Sequence, residues 1–221
     1  MSPKKYRVVL MASGAGSNAI NILNFASAHG DCLEVPLLVC DRPKAGIVKS
    51  MSDLNLNCAV IAYEKKSSNK YENQRQHENK IITCIKEVNP DFIFLVGYMR
   101  VLSAHFLESF YNSSWGFAPI VNLHPSLLPA FPGVNGYKDA FDYGVAASGV
   151  TLHLVDQGLD SGPIIMQKTF SRHRDDSFQD FMARGKEAEY AIFNEFLHQL
   201  CLQAKCLKLT KLAQRHMALL Q

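Results

Sequence analysis

Short apolar runs recur along the first half of the chain, each followed by residues at helical spacing, and this alternation is the strongest constraint on the fold. Residues 7–11, 33–40, 58–61 and 91–96 read as strands, and residues 119–123 as a fifth. Between them, residues 17–28 place Ile20, Leu23, Phe25 and Ala26 near helical spacing, residues 45–54 look helical, and residues 79–88 put Ile81, Ile82, Ile85 and Val88 on one face. The run 91–96 is nearly continuous, as a strand buried on both faces requires. Strands and helices that alternate in this way pair in parallel with helices on both faces. Pro36 argues for an edge position or an irregularity in the second strand. The polar residues 63–73 read as a loop, and 111–118 lack a clear pattern. The second half differs: 149–155 alternate and 163–170 are strand-like after Gly162, which suggests an antiparallel pair. Asp176 then opens a long helix, with Gln179 at capping-box spacing and Phe181, Ala188, Ile192, Phe196 and Leu200 on its buried face. The expected fold is α/β: an open, mostly parallel twisted sheet with helices on both faces and an antiparallel strand pair in the C-terminal half.

Composition narrows the function. A chain of 221 residues fits one domain and a substantial core. Hydrophobic residues at 48% and charged residues at 19% exclude wholesale disorder. The 23 basic and 20 acidic residues leave a net charge of +3, too weak to imply nucleic acid but compatible with an anionic small substrate. No apolar run is long enough to span a membrane. Lys4, Lys5 and Arg7 precede a short apolar stretch that runs into Gly14-Ala15-Gly16, which reads as a strand and turn rather than a secretory leader. The cysteines (Cys32, Cys40, Cys58, Cys84, Cys201 and Cys206) form no CxxC pair. They are expected as buried free thiols in a reducing cytosol, ahead of disulfides or a zinc site.

Ligands of open α/β sheets bind beyond the carboxyl ends of the strands. Three segments qualify: residues 13–18, residues 97–100 and residues 122–126. In Gly14-x-Gly16-Ser17-Asn18 two glycines allow close backbone approach, and a helix N-terminus favours an anion such as phosphate. The segment is neither a Walker loop nor a full GxGxxG, because Ala19 occupies the third glycine position. The plainer alternative is a tight turn with Ser17 or Asn18 as N-cap. Asn122 and His124 alternate onto one side of their strand, and Pro125 ends it. An amide and a cationic imidazole together could stabilise an oxyanion, although a core histidine beside a turn-forming Asn fits the same pattern. Asp160 is either a turn former or the carboxylate that keeps His124 charged. His153 is a supporting partner or a half-buried strand residue. Prolines 125, 129 and 132 with Gly133 describe a rigid, irregular loop, which is expected to shape a site. The His and carboxylate spacing fits no zinc pattern, so no metal is expected.

Gly-Ala-Gly-Ser-Asn at 14–18, Gly-Tyr-Met-Arg-Val-Leu at 97–102, Asn-Leu-His-Pro-Ser-Leu-Leu-Pro at 122–129 and Leu-Asp-Ser-Gly-Pro at 159–163 together resemble the folate-dependent phosphoribosylglycinamide formyltransferases of purine biosynthesis. The resemblance runs from about residue 6 to 205. It implies a single formyltransferase domain over 1–221, with a phosphate-binding half to about residue 110 and a folate and catalytic half over about 111–205. Length agrees with this group, because methionyl-tRNA formyltransferase and formyltetrahydrofolate hydrolase would add further domains. By resemblance, Gly16, Ser17 and Asn18 hold the substrate phosphate, and Asn122, His124 and Asp160 form the catalytic trio. Met99, Arg100, Val101 and Leu102 line the pterin together with Asn122. The loop of Asp156, Gln157, Gly158 and Leu159 up to Asp160 closes over it.

 In Lys186-Glu187-Ala188-Glu189, Glu189 matches the carboxylate that meets the glycinamide amine, with Lys186 beside it. Arg75 is taken as an anion contact on the folate side, displaced from the family's usual position. Asn135-Gly136 stands where relatives carry a histidine-rich turn, and 111–118 is longer than in relatives.

The implied reaction is formyl transfer from 10-formyltetrahydrofolate to the amine of phosphoribosylglycinamide, in the cytoplasm, by a monomer or homodimer with small-molecule partners only. The alternatives are formyl-folate hydrolysis and a non-catalytic nucleotide-binding module.

Overall fold

A computed structural model describes residues 5–202. The expected fold class is observed. Seven strands form one mixed sheet in the order β3-β2-β1-β4-β5-β6-β7. The chain divides within β5 into two compact units, Met1–Ile120 and Val121–Gln221.

In the first unit the strands are β1 (Tyr6–Ala12), β2 (Leu33–Cys40), β3 (Cys58–Val60) and β4 (Phe92–Leu95), and the helices are α1 (Ser17–Ala28), α2 (Gly46–Asp53), α3 (Lys70–Glu87) and α4 (Ala104–Ser109). Strand β1 pairs in parallel with β2 and β4, and β2 with β3. All four residues of β4 are buried, as expected for a strand covered on both faces. Pro36 lies inside the sheet rather than at its edge. Arg7 faces Glu34 but Val9 faces Leu37, so β2 carries one extra residue around the proline. That irregularity removes the need for a ladder donor at Pro36.

Helix α3 corrects the loop expected at 63–73. It starts at Lys70, where Asn69 accepts from the N–H groups of Tyr71 and Glu72. Its first turns carry no apolar stripe because their buried positions are Asn73, His77 and Glu78. These are satisfied by hydrogen bonds: Asn73 closes onto Ser67, His77 Nε2 onto the Ile61 carbonyl at 2.8 Å, and Glu78 onto Ser103. Residues 111–118 form a tight turn, with Trp115 against Phe92 at 5.4 Å between ring centres. Helix α4 went unread because it has only six residues.

In the second unit, β5 (Ile120–His124) continues from Val121, β6 (Ala147–Leu154) pairs antiparallel with β5, and β7 (Ile164–Ser171) pairs antiparallel with β6. Helix α5 (Gly136–Tyr143), also unread from sequence, follows the proline-rich loop. The long α6 (Phe178–Leu202) buries Phe181, Ala188, Ile192, Phe196 and Leu200 as expected. Its capping box sits one residue later than the spacing of Asp176 and Gln179 implied. Ser177 Oγ accepts from the Asp180 N–H, and Asp180 Oδ2 accepts from the Ser177 N–H.

Cys40 is a buried free thiol as expected, Cys58 and Cys84 are free but only half-buried, and the expectation fails at Cys32 and Cys201, each of which is disulfide-bonded. Spacing along the chain carries no signal for such bonds, which depend on proximity in the fold. Cys206 lies outside the described residues. No helix among the described residues is long and apolar enough to cross a membrane.

Candidate active site

His124 is the last residue of β5 and is only 3% exposed. Its Nδ1 lies 3.2 Å from Asp160 Oδ2, and its Nε2 lies 2.8 Å from the Phe131 carbonyl oxygen. Both ring nitrogens therefore face acceptors. A neutral imidazole has one N–H, so only the cationic ring can donate in both directions. Asp160 also accepts from the Gly133 N–H at 2.8 Å, which fixes its carboxylate. Phe131 and Asp160, the two residues that meet the imidazole nitrogens, both have φ of 53°. The other non-glycine residues at positive φ among those described are Asn55 and Asn89, which tolerate it. Asp tolerates that region as Asn does, so the strain sits at Phe131, whose carbonyl meets the imidazole, and functional sites often hold such strain.

Asn122 precedes His124 by two positions and faces His153 across the β5–β6 pair. The Asn122 amide nitrogen lies 3.1 Å from His153 Nε2, and His153 Nδ1 lies 2.8 Å from the Leu154 carbonyl. A carbonyl only accepts, so Nδ1 carries the proton and Nε2 accepts from Asn122. This direction sets the amide orientation and leaves Asn122 a second N–H. Burial pushes the His153 pKa below the usual histidine value, in keeping with a neutral ring. His153 Nε2 is also 3.7 Å from Asp160 Oδ1, so Asn122, His124, His153 and Asp160 form one cluster.

The depressed His153 pKa has a pH consequence. Below about 6.5 the unfolded chain takes up a proton at this position while the folded chain resists it. The unfolded state then binds more protons, so stability is full above that pH and falls as pH drops toward the folded value. Denaturant unfolding at a series of pH values should show the parent losing stability on acidification, with a shallower slope for His153→Gln. Equal slopes would contradict the neutral assignment.

The expected rigid loop after β5 is pinned by side chains of the sheet. Thr151 Oγ1 donates to the Ser126 carbonyl at 2.7 Å and accepts from the Leu128 N–H at 3.1 Å. Gln167 Nε2 donates to the Leu128 carbonyl at 2.9 Å, and Ser126 Oγ to the Ala130 carbonyl at 2.5 Å. This pinning carries the Phe131 carbonyl onto His124. Residues Asp156, Gln157, Gly158 and Leu159 are exposed. Asp156 Oδ1 closes their turn by accepting from the Gly158 N–H and from Ser161 Oγ. The turn delivers Asp160 to the imidazole.

Glu189 departs from the solvated helix residue its mid-helix position suggests: it is 8% exposed and accepts from Tyr137 Oη at 2.6 Å. Lys186, three residues earlier on α6, is exposed.

In the first unit, Gly16 rather than Ser17 or Asn18 is the N-cap of α1. Its φ is 78°, and no side chain caps the helix there. The first-turn N–H groups consequently lack a side-chain cap of their own, the arrangement that suits an anion. A Cβ on Gly16 would lie 2.5 Å from Ile47 Cδ1. Gly16→Ala is therefore expected to destabilise the protein by about 1–3 kcal/mol through left-handed strain and overpacking. It should also weaken binding of a phosphorylated acceptor more than that of a folate. Thermal melts and titrations with both ligands test this, and equal losses for the two would make the loop a structural turn only.

The segment of Met99, Arg100, Val101 and Leu102 is held from below. Asp41, 4% exposed, accepts from Ser13 Oγ at 2.6 Å and from Arg100 Nε at 2.8 Å. Ser13 Oγ accepts from the Met99 N–H at 3.0 Å, and Gln74 Nε2 donates to the Val101 carbonyl at 3.0 Å. The Arg100 guanidinium stacks 3.9 Å from the centre of the Tyr63 ring. Met99 and Val101 are exposed while Leu102 is buried. Arg75 is exposed on α3, next to Gln74 in sequence. Asp41, Phe131, Gly133, Tyr137 and Thr151 were not read as site residues. Asp41 had one signal, a carboxylate directly after an apolar strand; Phe131 and Gly133 act through backbone groups that residue type does not reveal. Among the described residues no group of three or more His, Cys, Asp and Glu side chains is arranged to hold a metal ion.

Residues 6–197 match the formyl transferase family. The chain belongs to that family. The formyl transferase fold is shared with the phosphoribosylglycinamide formyltransferase of Bacillus halodurans, whose crystal structure superposes with a TM-score of 0.78 at 33% identity, covering 91% of this chain and 98% of that one. In sequence, the phosphoribosylglycinamide formyltransferase of Bacillus subtilis is 34% identical over 197 residues, 89% of this chain and 94% of its own length. A formyltetrahydrofolate deformylase of Escherichia coli is 35% identical over 130 residues, covering 59% of this chain but 44% of that protein.

Proposed function

We propose that this formyl transferase moves the formyl group of 10-formyltetrahydrofolate to the amine of phosphoribosylglycinamide in purine (IMP) biosynthesis. The observation that carries the reading is the His124 imidazole fixed by acceptors at both nitrogens beside an oriented Asn122 amide. The similarity to the Bacillus subtilis formyltransferase along 94% of that protein supports the choice of acceptor.

The acceptor amine attacks the formyl carbon, and the carbonyl oxygen becomes an oxyanion. Asn122 donates its second N–H to that oxygen. His124 exchanges its Nε2 bond to the Phe131 carbonyl for one to the oxyanion, while Asp160 holds the ring through Nδ1. Each such donor is worth roughly 3–4 kcal/mol of transition-state stabilisation. Collapse of the tetrahedral intermediate breaks the bond to the folate nitrogen, which receives the proton lost by the amine, with Asp160 assisting through a water. Gly16, Ser17 and Asn18 take the ribose phosphate at the α1 N-terminus, and Glu189, with Lys186 nearby, meets the acceptor amine. Met99, Arg100, Val101, Leu102 and the 156–160 turn hold the pterin, with Arg75 as an anion contact. The donor is a co-substrate and no metal takes part. The enzyme works in the cytoplasm as a monomer or homodimer, without nucleic acid.

Consumption of the folate donor should depend on the acceptor. Donor turnover that is as fast without phosphoribosylglycinamide would favour hydrolysis instead.

A further inference from the structure

Tyr137 lies on the second residue of α5, 52 positions before the carboxylate it meets. Its ring is clamped rather than free. It packs edge-on to Phe170 and Phe181, with centroids 6.3 Å and 6.4 Å away at interplanar angles of 63° and 89°. Phe181 in turn packs against Phe141 and Phe170 at 5.5 Å and 4.9 Å. On α6, Gly185 provides the room: a Cβ there would lie 2.5 Å from the Tyr137 ring. The residue before Tyr137 is equally confined, because a Cβ on Gly136 would lie 2.8 Å from the Pro125 carbonyl oxygen and 3.2 Å from His124 Nε2. The first turn of α5 therefore abuts the imidazole with one residue and holds the Glu189 carboxylate with the next. Burial, and then the facing Glu189, push the Tyr137 phenol well above the usual tyrosine value, so it remains a donor across the working pH range.

We propose that Tyr137 is a positioning residue for the acceptor: its hydroxyl fixes the Glu189 carboxylate in the orientation that receives the acceptor amine, and the first turn of α5 sets the spacing between that carboxylate and His124. The inference rests on the assignment of Glu189 to the acceptor amine. Tying Oε1 to a clamped phenol fixes the direction in which the whole carboxylate faces. Rigid support of this kind acts on substrate placement more than on fold stability.

Tyr137→Phe removes the hydroxyl and keeps the ring packing. With the full-length enzyme, the KM for phosphoribosylglycinamide should rise about tenfold or more, the scale of a lost hydrogen bond to a charged group. The KM for 10-formyltetrahydrofolate should stay within about twofold, since that ligand meets other residues. Gly185→Ala keeps the hydroxyl but displaces the ring, and it should give the same acceptor-specific defect. The double variant should be no worse than either single one, because both act through one contact. A purely structural bond would instead lower the melting temperature with unchanged KM values, or raise both KM values alike, and either result overturns the inference. A parent enzyme that formylates no phosphoribosylglycinamide would overturn the functional reading itself, a result distinct from an active parent with unaffected variants.

Discussion

His124→Ala and Asn122→Ala should each lower the single-turnover rate of formyl transfer by about a hundredfold or more, the cost of removing one oxyanion donor. The geometry explains why the loss should appear in the rate rather than in substrate binding. Both groups are placed by β5 and oriented by protein acceptors, so their contribution grows only as charge develops on the formyl oxygen. Rapid-quench measurements at saturating substrates, with melting curves as a control for folding, test this. Near-parent rates in folded variants would show that the cluster is not the reaction centre. Loss of His124 should also remove the partner that Asp160 faces at 3.2 Å, leaving a half-buried carboxylate partly uncompensated. Some loss of stability is therefore expected alongside the kinetic defect, and the melting curve separates the two.

Asp160→Asn should reduce the rate by about a hundredfold as well, within the usual range for a lost acid–base or charge-orienting group. The substitution is clean for two reasons. Asn tolerates the left-handed backbone that Asp160 adopts at φ 53°, and its amide oxygen can still accept from the Gly133 N–H. Shape and turn are retained while the negative charge beside His124 is lost. Without that charge the imidazole loses the ionic partner that its Nδ1 meets at 3.2 Å, and its donor geometry toward the formyl oxygen is held less firmly. Single-turnover rates at saturating amine measure the loss, and a parent-like rate in a folded variant would remove Asp160 from the mechanism.

Much of the fold was legible because apolar periodicity reports burial directly. Helix α1 at 17–28 and strand β2 at 33–40 were read with the bounds the structure has. The reading weakened wherever polar side chains are buried and satisfied. The first turns of α3 bury Asn73, His77 and Glu78, so they show no apolar face and pass for loop. The start of α6 was misplaced by one residue because Asp176 and Ser177 both suit an N-cap, and only the reciprocal bonds of Ser177 and Asp180 decide between them.

The candidate site divides along the same line. Asn122 and His124 were recognisable because a two-residue strand spacing puts both side chains on one side, and Asp160 because a carboxylate in a turn can reach them. What position in sequence cannot show is backbone chemistry. The Phe131 carbonyl and the Gly133 N–H hold the imidazole and its carboxylate, yet neither depends on which side chain is present. Tyr137 was missed for another reason: its hydroxyl acquires a role only once α5 and α6 pack, 52 residues apart along the chain.

The fate of the formyl carbon tests the central claim most directly. The donor carrying an isotopically labelled formyl group is incubated with the enzyme and phosphoribosylglycinamide, and the products are separated. The account predicts the label as a new amide on the acceptor, in one-to-one proportion with the folate released, and no labelled formate above the background without enzyme. Label recovered as formate whether or not the acceptor is present, or retained entirely on the folate, would contradict it.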